Sequence, residues 1–220
     1  VLPLDTITAG DCLNLLPQIP SSSVDLILTD PPYGMAYQSS HRAVPFQKIA
    51  GDQSCEVFLQ ALPEMVRILR DDRHAYFFCS WHNVDVFKQA IEGHLTIKNI
   101  IVWVKNNHGA GDLKGAFAPK HELIIFAHKG RRHLRGKRLP DVLECPKVAG
   151  VSLTHPTEKP VPLLAQLIAA SSEEGEIVLD PFIGTGATAA AAKNSGRRYI
   201  GMECDLGYVN IANNRLSSDA

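Results

Sequence analysis

Long apolar runs are missing from this 220-residue chain. No 18 consecutive residues are apolar, so no membrane-spanning helix is expected. The opening stretch VLPLDTITAGDC has no basic region leading into an apolar core, so no signal peptide is expected. Cysteine is sparse: Cys12, Cys55, Cys79, Cys145 and Cys204 are odd in number, and no C-x-x-C occurs. A disulfide framework or a zinc site is therefore not expected, and a reducing cytoplasm is the natural compartment. His121, His128 and His155 share no metal-ligand spacing, so no metal is expected. Internal repeats are also missing, and the length fits one domain over residues 1–220.

What is present is enough apolar material for a sizeable core, at 45%. Short apolar runs read as buried strands at Thr6–Ala9, Val24–Thr29, His74–Ser80, Ile97–Val104, Leu123–His128, Glu176–Asp180 and Arg198–Glu203. Helix-like stretches separate them: Cys12–Leu16, Cys55–Leu69, Asn83–Ile91, Val161–Ala170, Gly186–Asn194 and Leu206–Leu216. Pro63 is expected to kink or split the second of these. Strand–helix alternation predicts an α/β fold, a doubly wound and mostly parallel sheet covered on both faces. Residues 96–130 break the rhythm, because two strands are joined there by a Gly- and Lys-rich loop. That pattern predicts an antiparallel hairpin at a sheet edge. Residues 34–53 read as a long loop, and 130–158 as a long excursion or linker.

Charge is unevenly distributed. Residues 98–138 hold ten Lys or Arg against two acids, Asp112 and Glu122. The segment carries +8 and the remainder −9, which points to a polyanionic partner, although such runs are often plain solvated surface.

Two strand tips carry chemistry. In EIVLDPFIGTGATAAAAKNSGRRYIGMECD, Asp180 ends one strand and Glu203 ends the next, 23 residues later. Between them, Gly184 and Gly186 allow close backbone approach at a helix start. An acid at the position of Glu203 typically takes ribose hydroxyls. Asp180-Pro181-Phe182 suits a nucleoside ligand with an amino-acid tail, such as S-adenosylmethionine, better than a nicotinamide dinucleotide. A tight structural turn with an incidental acid is the plainer alternative.

The other tip is VDLILTDPPYG, where an apolar strand stops at Asp30-Pro31-Pro32-Tyr33. The plainer alternative here is a turn with prolines and a packed tyrosine. The chemical reading starts from the exocyclic amine of a nucleobase, a poor nucleophile because its lone pair is delocalised. Asp30 and the Pro31 carbonyl can accept its N–H bonds and aim that lone pair at an electrophile. Tyr33 offers a flat face to an extruded base.

These stretches resemble the DNA amino-methyltransferases. D-P-P-Y, D-P-F-x-G-x-G and HPTEKP (His155–Pro160) all match that family, and their order matches its beta group, over nearly the whole chain. The resemblance implies a circularly permuted, seven-stranded, Rossmann-like methyltransferase sheet. It implies S-adenosylmethionine as cofactor, with Asp180, Phe182, Gly184, Thr185 and Gly186 at its methionine end. Glu203 would hold the ribose and Asp11 would lie near the adenine. Thr157, Glu158, Lys159 and Pro160 would close the site, although Lys159 also reads as a surface lysine. Asp30, Pro31, Pro32 and Tyr33 would form the catalytic pocket. Within the family, Asp before Pro-Pro points to adenine N6, with cytosine N4 or RNA as alternatives.

The expected partner is double-stranded DNA. Lys105, Asn106, Lys129, Arg131, Arg132, Arg135, Lys137 and Arg138 would contact it, within a short target-recognition insertion at 105–154. Several relatives are dimers, so a homodimer is compatible with the resemblance. No nuclease signature is present, which suggests a separate methyltransferase, in restriction-modification, a phage or gene regulation alike. A non-catalytic DNA-binding protein on the same fold is a competing reading. A nicotinamide dehydrogenase is another, and it leaves Asp30–Tyr33 unexplained.

Overall fold

The structure is a computed structural model that describes residues 2–32, 55–109, 114–148 and 158–218. The loop at 34–53, Tyr33 and Thr157 lie outside the described residues.

One mixed sheet runs in the order β1-β8-β7-β2-β3-β5-β4-β6. Its strands are β1 (Thr6–Ala9), β2 (Val24–Thr29), β3 (Leu69–Cys79), β4 (Thr96–Val104), β5 (His121–Lys129), β6 (Val142–Glu144), β7 (Ile177–Asp180) and β8 (Arg198–Glu203). The helices are α1 (Cys12–Leu15), α2 (Glu56–Ile68), α3 (Val84–Glu92), α4 (Val161–Ser171), α5 (Ala187–Asn194) and α6 (Leu206–Ser218).

β2 lies at the centre, parallel to β3 on one side and β7 on the other, and all six of its residues are buried. A parallel strand covered on both faces reads as an unbroken apolar run, which is what VDLILT nearly is. Side chains then alternate between two cores. Ile27, Ala75, Phe77 and Ile125 pack with Phe58, Met65 and Phe87 of α2 and α3. Leu26, Leu28, Tyr76, Phe78 and Phe126 pack with Leu164, Leu167 and Ala190 of α4 and α5.

Asp25 is the exception in β2, at 2% exposure. Its carboxylate accepts from Arg70 Nη1 at 2.6 Å, Arg73 Nε at 3.1 Å and the Ile177 N–H at 3.0 Å. One buried anion thus ties the amino ends of β2, β3 and β7 together. A buried charge persists only when partners surround it like this.

The expected α/β sheet is present, with three differences. An eighth strand, β6, pairs parallel to β4 and covers the outer edge of the predicted hairpin. It lies in the stretch read as a linker, and the Trp103 indole N–H donates to the Cys145 carbonyl at 2.8 Å to hold it there. β3 begins at Leu69, earlier than expected. α2 runs unbroken through Pro63, because Phe58, Ala61, Leu62, Met65 and Ile68 bury one continuous face. No helix among the described residues is long and apolar enough to cross a membrane.

Chain direction reverses between β7 and β2: one runs outward to β8 and the other to β3. Ligands of such sheets bind beyond the carboxyl ends of the strands at this switch point. The Asp25 clamp secures the opposite end. Asp25→Ala is expected to lower unfolding stability by about 2–3 kcal/mol, read as a lower urea midpoint with unchanged slope.

Candidate active site

The tips of β7 and β2 stand side by side. Thr29 Oγ1, at the end of β2, donates to Asp180 Oδ1 at 2.6 Å, and the Phe182 N–H donates to the same oxygen at 3.1 Å. These donors are neutral, and no ion pair reaches Asp180 among the described residues. Burial therefore outweighs the hydrogen bonds and pushes the Asp180 carboxyl up to about 6. A desolvated carboxylate in this state is a good receptor for a cation.

The turn after β7 brings Gly184 to Glu203. The Gly184 N–H donates to Glu203 Oε2 at 3.0 Å, and the Asp205 N–H donates to Oε1 at 2.8 Å. The Glu203 carboxylate is thus oriented from behind by backbone. Gly184 has φ +53°, and a Cβ there would meet open space. Gly186 has φ +82°, and a Cβ there would sit 2.9 Å from the Ala212 Cβ of α6. The first glycine clears a ligand path, whereas the second permits helix packing.

Asp30 lies just past β2 and accepts a hydrogen bond from Lys159 Nζ. Lys159, beside the start of α4, is only 5% exposed. Its ammonium also lies 3.1 Å from Glu122 Oε2 on β5 and 5.2 Å from the centre of the Phe78 ring. Glu122 Oε1 in turn accepts from Lys105 Nζ at 2.5 Å. Burial alone would depress Lys159, but Asp30 and Glu122 outweigh it and hold its titration above the ordinary lysine value. Burial alone would raise Glu122, but Lys159 and Lys105 outweigh it and hold the carboxyl below its ordinary value. Asp30, Lys159, Glu122 and Lys105 form a charge-balanced row, two acids alternating with two ammonium groups.

Both tips open into one cavity of about 660 Å³, which Asp11, Asp30, Pro31, Pro32, Glu158, Lys159, Asp180, Phe182, Gly184, Thr185 and Glu203 help to line. Asp11 also caps α1 through the Leu13 N–H at 2.9 Å. Glu158 is ion-paired with Arg215 of α6. Pro160 and Gly186 stand behind the lining: Pro160 caps α4 through its carbonyl, and Gly186 packs on α6.

The expected DNA contacts are dispersed. Lys105 lines the cavity but is turned onto Glu122. Asn106 is exposed near the rim, its Oδ1 accepting the Lys147 N–H at 3.2 Å. The basic run lies elsewhere. Lys129 pairs with Arg73 at the amino end of β3, whereas the cavity lies beyond the other end, where Cys79 pairs with Leu123. Lys129 Nζ donates to the carbonyls of Val66 and Leu69 at 3.0 and 2.7 Å. The Arg131 N–H donates to Asp72, Arg132 forks onto Glu176 at 2.9 and 3.1 Å, and Arg135 pairs with Glu173. Lys137 and Arg138 are exposed on the stretch leading to β6. The sheet register therefore separates Lys129, Arg131, Arg132 and Arg135 from the cavity.

Two features escaped the sequence reading. Glu122 had a signal: it is an acid inside an apolar strand of a +8 segment. The other is Trp81, 61% exposed on the cavity wall and in ring contact with His82 at 3.6 Å between centroids. Both rings lie two and three residues past the β3 tip, in the cavity lining.

A doubly wound sheet with carboxylates converging on one crevice at its switch point is an arrangement used for nucleotide-like ligands. The chain belongs to the DNA methylase family of N6/N4 methyltransferases, whose profile matches residues 24–214. It is 38% identical over 210 residues to YubD of Escherichia coli (strain K12), a presumed methylase, covering 95% of this chain and 88% of that protein. It is 30% identical over 248 residues to the type II methyltransferase M.HinfI of Haemophilus influenzae, covering 97% of this chain and 68% of that one. The crystal structure of an M1.HpyAVI–SAM complex superposes with a TM-score of 0.75 at 24% identity, covering 96% of this chain and 98% of that one.

Two stability outcomes follow from this geometry. Gly184→Ala is expected to cost about 1 kcal/mol, the left-handed backbone penalty alone, and Gly186→Ala more, because Ala212 must move; denaturant midpoints compare the two. Asp180 titrates higher folded than unfolded, so its ionised form destabilises the fold above about pH 6. Asp180→Asn should therefore melt at the same or a higher temperature at pH 7.5, and this advantage should shrink as pH falls from about 6 to about 4 and be gone near pH 3, where the carboxyl is protonated in both states.

Proposed function

We propose that this protein transfers a methyl group from S-adenosylmethionine to the exocyclic N6 of an adenine turned out of double-stranded DNA. The observation that carries the reading is the convergence of Asp30, Asp180 and Glu203 on one cavity. The volume suits a nucleoside-sized ligand with room for a base beside it.

The residues present fit the cofactor. Asp180 is a buried carboxylate with only neutral donors, so a cationic amino group would relieve its desolvation. Glu203 is held by two backbone N–H groups, leaving lone pairs for ribose hydroxyls. Gly184 offers open space where a side chain would obstruct. Asp11 and Phe182 complete the walls for the adenine and the methionine end. When bound, the cofactor supplies an electrophilic methyl group on a sulfonium.

The chain's own residues prepare the nucleophile. Asp30 and the Pro31 carbonyl accept the two N–H bonds of the base amine and draw its lone pair out of conjugation. As positive charge develops on nitrogen, the Asp30 carboxylate stabilises it and offers an acceptor for the surplus proton. Pro31 and Pro32 hold this geometry with little reorganisation. Trp81 on the cavity wall is a flat face for a base or its neighbour, and the motif assigns a second such role to Tyr33, outside the described residues. An aspartate before Pro-Pro, by resemblance, favours adenine. The single domain would meet DNA at the cavity rim, where 105–154 contributes Asn107, Gly109, Pro119 and Lys147.

The test is methyl transfer to mixed-sequence duplex DNA from labelled S-adenosylmethionine, followed by digestion to nucleosides. Label in 6-methyladenine is expected. Label in 4-methylcytosine would keep the class and overturn the base. Asp30→Ala should lower transfer at least ~100-fold, with cofactor affinity by calorimetry close to wild type. Normal transfer by that variant would remove Asp30 from the mechanism.

A further inference from the structure

The row Asp30–Lys159–Glu122–Lys105 holds more charge than the proposed reaction uses. Only Asp30 meets the base in that reading. The other three groups come from the start of α4, from β5 and from just past β4, and they meet in the cavity wall at 2.5 to 3.1 Å. Glu122 is central, with one carboxylate oxygen toward each ammonium.

We propose that Glu122 is a positioning residue for methyl transfer, sharing Lys159 with Asp30 so that the Asp30 carboxylate is held in place without being fully neutralised. The proposal rests on the reading that Asp30 accepts the base amine.

The argument is one of competing demands. A carboxylate that grips an amine needs a fixed orientation, which a buried cation supplies. A cation bound to that carboxylate alone would also quench the negative charge it needs. Placing a second carboxylate on the far side of Lys159 resolves this, because the ammonium is then held from two directions and divides its charge. Lys105 balances the second carboxylate, so the row stays neutral and can be buried. The aromatic face of Phe78, 5.2 Å from Lys159 Nζ, closes another side against water.

Lys159 is faced by Asp30 just past β2, by Glu122 from β5 and, through Glu122, by Lys105 just past β4. Cys79 ends β3 beside both carboxylates, and burial pushes its thiol up to about 12, so it stays neutral. Asp180 lies beyond Asp30 at the β7 tip, and His121 adjoins Glu122 in the cavity lining. Glu158, next in the chain, is ion-paired with Arg215 of α6. Two anions therefore keep the buried Lys159 protonated. Removing one lets burial pull its titration down, so activity that needs the ammonium fails at lower pH.

The test is Glu122→Gln, which keeps shape and removes charge, with pH profiles of kcat and KM for S-adenosylmethionine. The expected result is kcat lower by roughly 10-fold, KM unchanged, and the basic limb of the profile moved to lower pH. The double variant E122Q/K105Q removes one charge of each sign, so the buried row stays neutral and folding is preserved. It should show the same displaced limb. A kcat and a basic limb that match wild type in both variants would overturn the proposal and leave Glu122 a structural residue. Asp30→Ala, assayed alongside, separates the two readings. If it is inactive while E122Q is normal, only the Glu122 assignment fails. If Asp30→Ala is itself active, both fail.

Discussion

The parallel pairing of β2 with β7 is the constraint on which everything else depends. From these two strands the sheet is built outward in opposite directions, β7 toward β8 and β2 toward β3, which makes their carboxyl ends the switch point. Leu26 pairs with Val178 and Ile27 with Leu179, which, carried one residue on, sets Leu28 level with Asp180, brings the Thr29 hydroxyl within reach of its carboxylate and leaves Asp30 just beyond the strand. The Thr29–Asp180 hydrogen bond locks this register at the tip, and the Asp25 cluster locks it at the base. A slip by one residue would turn Leu26 and Leu28 to the wrong core and move both carboxylates off the cavity.

Within that frame, three carboxylates are treated differently. Asp180 is buried against neutral donors and left needing a cation. Glu203 is oriented by backbone N–H groups and kept half-exposed. Asp30 is given a buried ammonium, which is itself divided with Glu122. These environments follow from which neighbours each strand end receives.

Much of this was legible in the sequence. Apolar runs ending in Asp or Glu located the strand tips, and the glycine pair after Asp180 located the left-handed turn between β7 and α5. The less legible parts are those set by tertiary pairing. β6 is three residues long with one buried side chain, Leu143, too little for periodicity to mark. The basic run after β5 looked like a phosphate contact because a run of charge does not show which end of the sheet it occupies. The antiparallel register of β5 carries Lys129 and the arginines after it to the amino ends, where Asp72, Glu173 and Glu176 engage them. Lys159 stood out in the sequence within HPTEKP, but its contact with Asp30 spans 129 positions and appears only in the fold. Tyr33 and Thr157 fall outside the described residues, so their expected roles rest on the motif alone.

The most direct measurement of the central claim is a crystal structure with S-adenosylhomocysteine soaked or co-crystallised. The account predicts the ribose on Glu203, the amino group on Asp180, and the sulfur facing Asp30 across the space left for a base. A ligand seated elsewhere, or seated in the cavity with its sulfur turned away from Asp30, would contradict it.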